Sequence, residues 1–173
     1  MPENRQHAPR NCRISHACAL ARPLQSARVM KTTTLVGRIL FSLIFIFAAI
    51  GHFKPEEIAY AAAAGVPLAK LAVPASGLLS LAGGLSIALG YRAKLGGWAI
   101  VVFLVPVTLM MHNFWSAADA ATFQRELMLF ARNLGLLAGA LQVGHSGAGA
   151  LSLDALMADA LVTEPVAELD YVA

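Results

Sequence analysis

The chain has 173 residues, of which 58% are hydrophobic and only 13% charged, and its mean hydropathy is +0.65. A soluble domain carries about a quarter charged residues, so these proportions exclude a disordered chain, a nucleic-acid-binding domain and an ordinary cytosolic enzyme, and point to a protein embedded in a lipid bilayer. The formal net charge of +3 belongs to a tail: residues 1–29 hold five arginines against Glu3, while the rest of the chain is slightly acidic.

Residues 1–29 contain Pro2, Pro9 and Pro23 and no long apolar run, so they read as a disordered basic extension. Met30, followed at once by Lys31 and a long apolar run, reads as a natural start, with a transit peptide as the competing reading of what precedes it. Cys12, His16 and Cys18 cluster here without a fourth ligand at metal spacing, and no metal site is expected from them.

Residues 30–151 read as the membrane domain, with spans at about 35–53, 71–90, 95–111 and 127–143. The runs are continuous instead of alternating, which predicts helices and not barrel strands. A cleavable signal peptide is the rival for the first run, but three more spans follow it. Between spans one and two, Pro55 with Glu56 and Glu57 opens a short interfacial helix that Gly65 closes. Before span four, Ser116 and Asp119 stand at capping-box spacing. Residues 152–173 form an acidic tail in which Ser152 caps a weak helix. The predicted fold is all-α, a four-helix transmembrane bundle.

Basic residues flanking the spans set the orientation. With both termini in the cytoplasm, Arg28, Lys31, Arg38, Arg92 and Lys94 lie inside against Lys54, Lys70 and Arg125 outside. Small residues let helices approach in lipid. Span two repeats them at Ser76, Ser80 and Gly84, and span four holds Gly135 and Gly139, for which packing within the bundle and a homo-oligomer contact both stand as readings.

Ionisable groups inside spans are costly and are the default functional hypothesis. His52 ends span one, His112 and Asn113 end span three, and Arg132 with Asn133 lies one to two turns into span four from the same side. These five are the candidate ligand-binding residues. Arg132 supplies charge, Asn113 and Asn133 hydrogen bonds, and the histidines a proton route for a quinone-like or anionic head group. In the competing reading the histidines and Trp115 anchor the chain at the interface and Arg132 snorkels. Two histidines at one depth also raise haem, but bundle haem sites sit inside the core and these stand near helix ends. Arg132 is expected to be held by Asn113, His112 or His52.

The segment R-I-L-F-S of span one ending in Gly51-His52-Phe53-Lys54-Pro55, then Gly65-Val66-Pro67, Ala82-Gly83-Gly84-Leu85 with Gly90-Tyr91-Arg92, the run from Arg132-Asn133 to Ala140-Leu141, and Leu151-Ser152-Leu153-Asp154 together resemble the DoxX-like membrane proteins, over about residues 35–156. The resemblance implies a four-helix bacterial inner-membrane protein with relatives linked to thiosulfate:quinone oxidoreduction or oxidative-stress complexes, most members having no assigned reaction. Many relatives carry a glutamate where this chain has Ser80, so an activity resting on that acid does not carry over. The resulting expectation is a small redox-associated or accessory subunit with redox partner proteins, enzymatic only as part of a membrane oxidoreductase system. A small-solute carrier and a structural subunit without ligand are the alternatives.

Overall fold

The computed structural model describes the backbone of residues 12–162 and the side chains of residues 29–161. Among the described residues there are six α-helices and no strand: α1 (Cys12–Gly51), α2 (Pro55–Ala63), α3 (Ala69–Leu89), α4 (Ala93–Met111), α5 (Ala120–Ser146) and α6 (Leu153–Val162), with one 3₁₀ turn, Phe114–Ser116, before α5. Four helical stretches are long and apolar enough to cross a membrane: Val29–Gly51, Ala69–Leu89, Ala93–Ser116 and Ala120–Ser146. The all-α four-helix bundle expected from the apolar runs is the fold observed.

The helical backbone of α1 already begins at Cys12, where the composition predicted no regular structure before Met30. The physical reason is that extending an existing helix adds one hydrogen bond per residue fixed, and Ala17, Ala19, Leu20, Ala21 and Arg22 are good helix formers. Residues 1–11 of that extension, and residues 163–173 of the acidic tail, lie outside the described residues, as do the side chains of Cys12, His16 and Cys18.

Helix ends follow local chemistry. Pro55 stands at the start of α2 with Glu56 and Glu57 in the first turn, where a missing N–H costs nothing and acids meet the positive end of the dipole. Asp119, not Ser116, caps α5: its carboxylate accepts from the Thr122 backbone N–H at 2.9 Å and the Thr122 hydroxyl at 2.7 Å. Ser116 instead turns back to donate to the Asn113 carbonyl. Ser152 caps α6 by accepting from the Ala155 N–H at 3.2 Å.

Helix α1 packs on α3, α3 on α4, and α4 on α5. Small residues set each approach. On α3, a Cβ at Gly84 would stand 3.2 Å from the Ser42 carbonyl of α1, and Ser80 donates to the Phe45 carbonyl at 3.1 Å. Gly83 meets Gly96 between α3 and α4, and Gly97 meets Gly144 so closely between α4 and α5 that a Cβ at Gly97 would lie 2.5 Å from the Gly144 nitrogen. The outer helices α1 and α5 meet differently, through the Phe41 ring seated over Gly139. Phe45, Ile87, Ile100, Phe103, Leu104 and Ala140 form the central core.

At the end of the bundle where α5 gives way to α6, Arg38 is 6% exposed and reaches across from α1 to the loop after α5. Its Nη1 donates to the Ala148 carbonyl at 2.7 Å and its Nη2 to the Leu151 carbonyl at 3.0 Å. Beside it Asp154 accepts from the backbone N–H groups of Arg92, at 2.7 Å, and Ala93, at 3.1 Å. Arg92 holds a left-handed backbone, φ 49°, which costs a non-glycine residue about 1 kcal/mol, and the Asp154 carboxylate stabilises that turn by satisfying the free N–H groups at the start of α4.

Candidate functional site

The opposite end is built otherwise. A cavity of about 750 Å³ lies between the α1–α3 pair and the α4–α5 pair, with α2 alongside it. Its walls are mainly apolar, from Ile44, Phe45, Leu79, Phe103, Met110 and Leu136, and its polar groups include His52, His112, Arg132, Asn133 and Ser76. Four of the five candidate residues therefore line one cavity. They come from the ends of α1 and α4 and the first half of α5, which the up-and-down course of the chain brings to the same depth.

His52 packs hard on α3. A Cβ at Gly77 would lie 2.6 Å from the His52 Cβ, so only glycine leaves room for the imidazole. Its Nδ1 lies 3.0 Å from the Ala48 carbonyl of its own helix, and the ring tilts against Phe103 at a centroid distance of 5.5 Å. Asn133 is 3% exposed; its Nδ2 donates to the Thr108 hydroxyl of α4 at 3.2 Å. Arg132, exposed at the rim, donates from Nε and Nη2 to the Asn133 Oδ1, both at 3.4 Å. Its partner is thus its sequence neighbour, where Asn113, His112 or His52 was expected. The guanidinium stays free enough to meet a further acceptor at the cavity rim.

Asn113 does not join the cavity lining. The α-helix of α4 stops at Met111, and Asn113 instead opens the 3₁₀ turn, its carbonyl taking the Ser116 N–H at 3.0 Å and the Ser116 hydroxyl at 2.9 Å. That turn carries an aromatic cluster in which Phe114 meets Trp115, Phe123 and Phe130 edge-on at 5.2 to 5.7 Å.

Sequence reasoning missed Glu126. Its carboxylate, in a residue 6% exposed, holds His112 from behind: Oε2 lies 2.9 Å from the His112 Nδ1, and Oε1 takes Arg125 Nη2 at 3.1 Å. A carboxylate on Nδ1 fixes the orientation of an imidazole. The signal was available, since Glu126, Asn133 and Ala140 recur at seven-residue spacing and so share one face of α5. Thr108 likewise stands one turn before His112. The cavity also takes in Glu57 and Tyr60 of α2, so the short helix belongs to the site as well as to the connection.

Chemically, the arrangement offers an apolar chamber, a cationic guanidinium, an amide and two imidazoles, one of them backed by a buried acid. Among the described residues no group of three or more His, Cys, Asp or Glu is placed to hold a metal ion.

No curated protein and no solved structure matches the chain. A family model, DoxX, matches residues 33–113, from the first span to the end of the third. With four helices of membrane-spanning length and that match in hand, the chain is an integral membrane protein that is similar to the DoxX family over residues 33–113.

Proposed function

We propose that this protein is a small redox-associated or accessory subunit of the bacterial inner membrane that binds a quinone, or a molecule with a similar hydrogen-bond-accepting head, in the cavity between its helix pairs. The observation that supports this reading is the grouping of His52, His112, Arg132 and Asn133 around a chamber whose remaining walls are mainly apolar. Quinone carbonyls accept hydrogen bonds, which Arg132 and the imidazoles can donate, while the apolar walls exclude water and strengthen those bonds. A histidine backed by a carboxylate suits a ligand that gains and loses protons as it changes oxidation state. In this reading both termini face the cytoplasm, because the basic flanks favour that side, and the cavity lies in the outer half of the membrane.

The test is purification in mild detergent followed by an absorption spectrum and analysis of extracted lipids. Co-purified quinone that is lost in Arg132→Leu, with the helices still inserted, is the expected result. Absence of any quinone, together with thermal stabilisation by a small hydrophilic solute, overturns it in favour of a carrier.

A further inference from the structure

We infer that the cavity holds the reduced, dihydroxy form of its quinone in preference to the oxidised form, because the wall made by α1 and α3 accepts hydrogen bonds while Arg132 of α5 donates them. The inference rests on the proposed quinone site and adds which redox form that site is built for.

The acceptor wall follows from where two hydrogens are spent. At the end of α1 the His52 backbone N–H turns to the Ala49 carbonyl at 3.2 Å, so the Ala48 carbonyl is left for the ring, whose Nδ1 lies 3.0 Å away. A carbonyl only accepts, so Nδ1 carries the hydrogen, and in the neutral ring Nε2 is then a bare lone pair. On α3, next to the Gly77 against which His52 packs, Ser76 donates its own hydrogen to the Val73 carbonyl at 2.7 Å and has only oxygen lone pairs left to offer. Both side chains line the cavity, and among the described residues nothing donates to the His52 Nε2 or the Ser76 Oγ. Glu57 of α2, which packs on α3, adds a carboxylate to the same side, and Tyr60 serves either role. Among the described residues no carboxylate pairs with His52.

Across the cavity, Arg132 can only donate, and its present bonds to the Asn133 Oδ1 are long, at 3.4 Å. His112 takes a role set by its protonation, its Nδ1 being held by Glu126. A head group that spans the space therefore needs a hydrogen to give toward α1 and α3 and an oxygen lone pair to turn toward Arg132. A hydroquinone has both, since each hydroxyl donates as well as accepts. A benzoquinone has acceptors alone. It satisfies Arg132 but leaves the His52 Nε2 unpaired in an apolar chamber, or requires that ring to take up a proton first.

The experiment compares a decyl-substituted benzoquinone with its hydroquinone, titrated under argon into the full chain in phosphatidylcholine nanodiscs at about pH 8, where an imidazole without a carboxylate partner is neutral. The hydroquinone is expected to bind about tenfold more tightly, the worth of one net hydrogen bond. That ratio raises the two-electron potential of the bound couple by about 30 mV. In His52→Phe, which keeps a ring beside Gly77 but has no lone pair, the two forms should bind alike. Should that variant fail to fold, nitrogen NMR of the isotope-labelled wild type decides: the imidazole whose Nδ1–H couples to the Ala48 carbonyl must show a bare Nε2 that shifts on adding hydroquinone. Equal or tighter binding of the benzoquinone, a preference that survives in His52→Phe, or a neutral His52 protonated at Nε2 overturns the inference and leaves the binding reading intact. Binding of neither form overturns both.

Discussion

His112 of α4 and Glu126 of α5 form a largely buried pair, the imidazole Nδ1 2.9 Å from the carboxylate Oε2, at the place where the cavity wall meets the aromatic cluster before α5. Removing one partner of a buried pair strands the other, at a cost of about 3 kcal/mol. Glu126→Ala is expected to lose roughly that much stability and Glu126→Gln about 1 kcal/mol, because the amide still hydrogen-bonds the ring. Thermal unfolding of both variants and of His112→Ala, combined in a double-mutant cycle, measures the coupling. Additive losses would show that the pair contributes nothing as a pair.

Arg38 ties the loop after α5 to the first span through the Ala148 and Leu151 carbonyls. Arg38→Leu leaves both acceptors without their donor and is expected to cost about 2 to 4 kcal/mol. Arg38→Lys should recover part of this, since an ammonium cannot reproduce the two-pronged guanidinium. Limited proteolysis reads the effect locally: cleavage within residues 147–152 should accelerate in Arg38→Leu with the spans intact.

Asp154 closes the turn between α3 and α4 by accepting two backbone N–H groups. Asp154→Ala should destabilise by about 1 kcal/mol, and Asp154→Asn by less. Hydrogen exchange at the Arg92 and Ala93 amides is the direct readout, expected to quicken in the alanine variant and to change little elsewhere.

Two glycines make opposite predictions. A methyl at Gly97 meets the Gly144 backbone at 2.5 Å, whereas a Cβ at Gly135 meets nothing within 4 Å. Gly97→Ala is therefore expected to cost about 1 to 3 kcal/mol through overpacking, and Gly135→Ala to stabilise by about 0.5 kcal/mol through helix propensity. Gly135 also decides the oligomer question that its spacing from Gly139 raises. Cross-linking in membranes that is unchanged by Gly135→Leu would exclude this face of α5 as an interface between copies.

Asp119 caps α5 from a fully solvated position, and the Thr122 backbone N–H, followed by its hydroxyl, holds the carboxyl below its ordinary range. A depressed folded-state value means that the cap's contribution is complete above the ordinary carboxylate range and is lost as pH falls through the folded value. The difference in thermal midpoint between wild type and Asp119→Ala should accordingly be constant near neutrality and shrink below about pH 4. A difference that persists undiminished well below that range would place the effect elsewhere.

The sequence by itself determined the elements that depend on local composition. Continuous apolar runs of membrane-spanning length can satisfy their backbone groups in lipid only as helices, so four spans and their approximate bounds followed from residues 35–143. Pro55 with Glu56 and Glu57, and Ser152 before Leu153, are end signals whose chemistry is complete within a few residues. The depth of His52, His112, Arg132 and Asn133 was legible for the same reason, since rise per residue converts position into height along a helix.

What the tertiary structure decided is which faces meet. Rotation of one helix against another depends on the volumes opposed across each seam, and no local pattern states that Gly83 opposes Gly96, that Gly77 makes room for His52, or that Phe41 covers Gly139. Arg38 read as one more basic residue flanking the spans; only the return of residues 148–154 to the same end of the bundle makes it a clasp. Asn113 shared the right depth but was turned away by the end of α4 at Met111. Glu126 was passed over beside Arg125 at the polar start of a span, and its burial against His112 is a property of two helices and not of either one.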